Sequence, residues 1–241
     1  AGALRGVRVG VVRPEMSPAL AALYERALGV LRAAGATLVE VERPRAEGIG
    51  AAEHLVLATE LKADLDAYLA TTPPAVTART LDQVIAFDTA HADAEMPYFG
   101  QELFEESART KGLADPAYLA ARAKSLRLAG REGIDAMLAG ANVALLVEPT
   151  YDAAWLSDPV HGDQYSGPSS SELPAIAGYP NLTVPMGLVR GLPAGLSFIA
   201  TAHGEATLLG AGYAYEQRAH ARAAPRYLPT VDAGPGVDGT R

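Results

Sequence analysis

The sequence predicts an α/β fold. Three observations predict it. The chain opens with an apolar strand, an amphipathic helix and a second strand. A helical stretch follows from Ile49 to Gly140. The remainder returns to strands, with a hairpin signal and a closing helix. Alternation of this kind builds a sheet covered by helices.

Each element has a local reason. Val7-Arg8-Val9-Gly10-Val11-Val12 is short, β-branched and stopped by Pro14, which reads as a buried strand. Ser17-Pro18 supplies an N-cap and a proline for the first helical turn. Leu20, Leu23, Ala27, Leu28 and Leu31 recur at helical spacing, and Gly35 closes that helix. Thr37–Val41 is the second strand. The pair is expected to be parallel, with a right-handed crossover. In the helical stretch, Leu57, Leu61, Leu65 and Tyr68 form one stripe, and Thr71-Thr72-Pro73-Pro74 is a break. Thr80 caps the next helix, Pro97 interrupts, and 101–109 resumes. Asp115-Pro116 starts a long helix expected to carry Leu119, Ala123, Leu126, Gly130, Ile134 and Met137 on one face. Val143–Val147 is a third buried strand, ended by Glu148-Pro149-Thr150. The stretch 151–171 is irregular, and a loop that long is usually functional or disordered. Trp155, the sole tryptophan, favours a packed loop. A short helix over 171–177, strands at 182–184 and 194–200 joined through Arg190-Gly191, and a helix over 205–220 complete the chain.

Length and composition bound the function. At 241 residues, the chain has room for one large domain or two small ones. The net charge is −8, and the 20 basic residues form no block. Nucleic acid and anionic membranes are therefore not the expected main partners. No apolar run reaches the ~18 residues of a membrane span. Cysteine is absent, which excludes disulfides, a thiolate nucleophile and thiolate metal sites. The chain starts Ala1-Gly2-Ala3, with no initiator Met and no leader pattern. The expectation is a piece of a longer protein, in the cytoplasm or, alternatively, the periplasm.

The residues alone assemble no complete catalytic machine. None of the five histidines pairs with another at the i, i+4 spacing of a helical metal site, so no metal or cofactor is expected. No phosphate loop and no G-x-S-x-G elbow occur. Ser169-Ser170-Ser171 would need a base, and the three lysines, Lys62, Lys111 and Lys124, lie in or beside helices. His161 could serve Ser169, although a loop hydrogen bond is the commoner role. Asp158 and Asp163 flank His161 and make a polar cluster, suited either to positioning a ligand or to capping turns.

One set of motifs goes further. Ala177-Gly178-Tyr179-Pro180-Asn181-Leu182-Thr183-Val184-Pro185-Met186-Gly187 is followed by Gly191-Leu192-Pro193-Ala194-Gly195-Leu196-Ser197-Phe198-Ile199 and by Gly212-Tyr213-Ala214-Tyr215-Glu216-Gln217. The series closely resembles the C-terminal end of the amidase signature family. Leu4–Val12 and Val147-Glu148-Pro149-Thr150 look like two strands of that family's second half. Met96–Glu102 and Asp158-Pro159-Val160 resemble its peptide amidase branch.

The resemblance implies the C-terminal half of the amidase-signature fold. That is a mixed β-sheet flanked by helices on both faces, with a helical insertion at 49–139 in a single α/β domain over 1–230. A disordered tail is expected at 231–241. It implies hydrolysis of amides, with peptide C-terminal amides as one substrate class, by a Ser–cis-Ser–Lys triad with a Gly/Ser-rich oxyanion loop. No segment of this chain matches that loop, so the triad is expected in an N-terminal half, in the same or a separate chain, without which this chain is inactive. By placement, Asp158, His161, Asp163, Tyr165, Ser169 and Ser170 are the expected substrate-binding residues. A non-catalytic binding module or remnant of the same fold is the alternative.

Overall fold

A computed structural model describes residues 2–158, 160–163, 165 and 167–227. The tail expected at 231–241 lies outside the described residues. The strands are β1 (Arg8–Val12), β2 (Thr37–Val41), β3 (Leu145–Pro149), β4 (Asn181–Val189) and β5 (Leu192–Ile199). The helices are α1 (Pro18–Ala33), α2 (Ile49–Ala70), α3 (Leu81–Ala90), α4 (Ala92–Glu95), α5 (Glu102–Ala108), α6 (Pro116–Leu126), α7 (Asp135–Ala141), α8 (Glu172–Ala177) and α9 (Glu205–Ala219). The sheet order is β2-β1-β3-β5-β4. β1 is parallel to β2 and β3, whereas β5 is antiparallel to β3 and β4. The sheet is thus mixed, as the family resemblance implies.

The first crossover forms for the expected reasons. Ser17 Oγ accepts from the Leu20 amide at 3.3 Å, and Pro18 fills the first turn of α1. Leu20, Leu23, Ala27, Leu28 and Leu31 are all buried. They meet Val9, Val11, Leu145, Val147, Leu196 and Phe198 from the sheet, and Leu208, Ala211 and Tyr215 from α9. Burying one such leucine stabilises the fold by about 2 kcal/mol. The alternate residues, Gly10 and Leu146, face the other way, and α7 packs by β1 and β2. The hairpin turns through Arg190 and Gly191, whose φ angles of 49° and 79° suit a two-residue connection.

The described residues of 2–45 and 129–227 form one compact unit, and 46–128 form another. The second unit is held by α2 against α5 and α6. Its polar ties include Tyr118 Oη donating to Glu60 at 2.7 Å and the Arg79 guanidinium, which caps α2 at the Leu69 carbonyl at 3.2 Å and donates to the Thr72 and Pro73 carbonyls just beyond it, both at 2.8 Å. The stripe of Leu57, Leu61, Leu65 and Tyr68 lines an open groove in this unit with Leu103.

The single long helix expected after Pro116 is corrected. A π-helical segment, Arg127–Ile134, separates α6 from α7. Its wider turns break the 3.6-residue period, so the expected face does not persist. Leu119 and Leu126 are exposed, whereas Ala129, Ile134 and Met137 are buried. Gly130 is buried there, where an added Cβ would sit 3.1 Å from Tyr179 Oη.

Tyr24 ties the main helix to the sheet. It is fully buried, and its hydroxyl lies 3.1 Å from the Val12 carbonyl and 2.9 Å from that of Val147. Val12 is the last residue of β1, and Val147 is the central residue of β3. Tyr24→Phe is expected to lower stability by about 1–2 kcal/mol, the cost of a buried hydrogen bond with its acceptors left in place. Urea unfolding monitored by circular dichroism measures it.

Candidate functional site

A cleft of about 1580 Å³ opens at the carboxyl ends of β1, β2 and β3. Open α/β sheets bind ligands outside such strand ends. Its walls are the segment 12–17 after β1, the segment 40–43 at the end of β2, and Asp152, Tyr165, 167–169 and Glu172.

The charged groups around it are organised by pairing. Glu148, next to last in the apolar strand β3, is only 2% exposed. Arg43 donates to both of its carboxylate oxygens at 2.8 Å, and also lies 3.6 Å from Glu172 of α8. Burial pushes the Glu148 carboxyl up to about 7, against the downward pull of Arg43. Arg13 bonds Glu40 at 2.9 Å and Glu25, and those bonds hold its guanidinium still more firmly charged. Asp152 Oδ1 accepts from Ser17 Oγ at 3.3 Å and from the Ala153 amide at 2.7 Å, which fastens the loop to the start of α1.

The loop is fastened to the sheet by hydroxyls. Thr150 Oγ1 lies 2.9 Å from Ser197 Oγ and 2.6 Å from Thr183 Oγ1. Ser197 Oγ is 2.7 Å from Ser170 Oγ. Gly195 makes room for this chain: a Cβ there would stand 2.5 Å from Thr183 Oγ1 and 2.7 Å from Thr150 Oγ1. Tyr151 bridges to Ser169 across the loop. The Tyr151 hydroxyl sits 2.7 Å from Ser171 Oγ and accepts from Ser169 Oγ at 3.2 Å, and these bonds lower its pKa.

The six residues expected at the site fall into three places. Tyr165 and Ser169 line the cleft. Ser170 is fully buried, within the hydroxyl chain. Asp158, His161 and Asp163 lie further out. Asp158 Oδ1 accepts from the Val160 and His161 amides at 2.9 and 3.0 Å, and Oδ2 is 2.9 Å from His161 Nδ1. Those bonds, led by the His161 amide, lower the Asp158 pKa. Asp163 is exposed.

The Amidase family model matches residues 1–209. The chain belongs to the amidase family. A peptide amidase from Stenotrophomonas maltophilia superposes with a TM-score of 0.84 at 44% identity, covering 94% of this chain and 45% of that one. A crystal structure named PAM12A gives 0.85 at 45% identity, covering 93% and 45%. A glutamyl-tRNA(Gln) amidotransferase subunit from Rhodospirillum rubrum is 32% identical over 94% of this chain and 46% of its own length. The chain therefore spans about half the length of the curated relatives it matches.

Arg43 and Asp152 carry no signal in the sequence. Neither belongs to a motif, and each reaches its partner across more than 100 positions in sequence. Glu148 did carry a signal, as the one acid in the strand Leu145–Pro149. Its raised pKa has a consequence for stability. Between pH 4.5 and about 7 the folded chain keeps a proton on Glu148 that the unfolded chain releases. This contribution is full below pH 4.5 and is lost as pH rises through about 7. It amounts to about 3 kcal/mol over the window. Urea unfolding at pH 5 and pH 7.5 should show that decline, and Glu148→Gln should flatten it.

Proposed function

We propose that this chain is the substrate-side portion of an amide hydrolase, and that the Ser–cis-Ser–Lys groups come from an N-terminal half. The observation that carries this reading is the family match over 1–209 together with the half-length coverage of relatives. The chain's own candidates for the chemistry support it. The Ser169 hydroxyl is engaged with Tyr151 and Ser171, and Ser170 is buried against Ser197. Lys62 donates to the Ala108 carbonyl at 2.7 Å, within the helical unit. The higher identity to the peptide amidase than to the amidotransferase favours peptide amides as substrates. In this reading Tyr165 and Ser169 face the substrate. Ser170 holds the loop in place, and Asp158, His161 and Asp163 shape its outer turn. Among the described residues no helix is long and apolar enough to cross a membrane.

The test is ammonia release from a dipeptide amide. The 241-residue chain alone should release none, and the chain joined to or mixed with an N-terminal amidase half should turn over. Turnover by the chain alone would overturn the division of labour. No turnover by the joined protein would favour a binding module or remnant instead.

A further inference from the structure

Tyr151, Trp155 and Tyr165 come together on the loop after β3. The Trp155 and Tyr165 ring centroids are 5.0 Å apart with planes at 60°, and those of Tyr151 and Tyr165 are 5.9 Å apart at 61°. These inclined packings suit the ring quadrupoles. The polar ends of the tyrosines are satisfied inside the loop. Tyr165 Oη donates to the Pro168 carbonyl at 2.6 Å, and Tyr151 Oη is 2.7 Å from Ser171 Oγ. What the cluster still offers is ring surface. Tyr151, Trp155 and Tyr165 remain 37%, 43% and 41% exposed. Tyr165 stands in the wall of the cleft.

We propose that these three rings form a subsite for a neutral aromatic side chain of the amide substrate. The proposal rests on the amide-hydrolase reading above. The cluster presents π faces and edges, which match a phenyl ring better than a methyl group. The charge nearby argues against an anionic side chain. Arg13 and Arg43, the two arginines of the cleft wall, are both held by carboxylates, and Glu15, Glu42 and Asp152 add negative charge.

Trp155 is the sole tryptophan, so its fluorescence reports from the subsite itself. The chain is titrated with N-acetyl-phenylalaninamide, N-acetyl-alaninamide and N-acetyl-lysinamide. A saturable response to the phenylalanine amide is expected, at least tenfold tighter than to either of the others. Tyr165→Leu should weaken it at least fivefold. Tyr151→Leu serves the same purpose should the first variant not fold. Tyr213→Leu, on the exposed side of α9, should leave it unchanged. No saturable response, equal affinity for the alanine amide, or preference for the lysine amide would overturn the subsite. The two readings fail separately. Tight phenylalanine-amide binding without hydrolysis by the joined protein overturns the hydrolase and leaves the subsite. Hydrolysis with equal kcat/KM for phenylalanine and alanine amides overturns the subsite and leaves the hydrolase.

Discussion

Glu148 is the penultimate residue of a strand whose other side chains are apolar, and almost none of its surface reaches solvent. A carboxylate in that place is tolerated only when paired, because desolvation strongly disfavours its charge. Arg43 meets both oxygens and also approaches Glu172. One guanidinium thereby ties the ends of β2 and β3 to the start of α8. Breaking such a pair by removing one partner typically costs about 3–5 kcal/mol, since the survivor is left buried and alone. Arg43 and Glu172 of this network line the cleft, and the loop beside it is fastened through Thr150, just after β3, and through Asp152 to Ser17.

The loop from Tyr151 to Ser171 is long, yet both its ends are fixed. Thr150, Ser170, Ser197 and Thr183 form a chain of hydroxyls in which each oxygen can donate once and accept from a neighbour. Such chains are directional and short-ranged, so they set register as well as contribute stability. Asp152 adds a third anchor, on Ser17. The serine run that suggests a nucleophile in the sequence is, in the fold, mostly a fastening. Its buried member, Ser170, bonds Ser197 of the sheet, and Ser169 lines the cleft.

Much of the fold was legible in local sequence. Ser17-Pro18, the leucine spacing of α1, Gly35 and the Arg190-Gly191 turn all act within a few residues, where period and capping rules apply. The break after Leu126 was not legible, because the apolar spacing there is compatible with an unbroken helix. Within the π-helical segment, Gly130 lies close to Tyr179, a residue far away in the chain. The site was legible in part. Tyr165 and Ser169 stand in the cleft, whereas Arg43 and Asp152 acquire meaning only when the strands are assembled.

The sequence by itself determined the α/β class, the order of the elements and the family, because these rest on periodicity, turn chemistry and a specific series of motifs. Tertiary structure alone decided which carboxylate is buried, which serine is buried and which rings gather. Those outcomes depend on desolvation and on distances between segments up to 135 positions apart, as in the bond from Ser17 to Asp152. No local pattern encodes such a distance. It exists only once β1, β2 and β3 lie side by side.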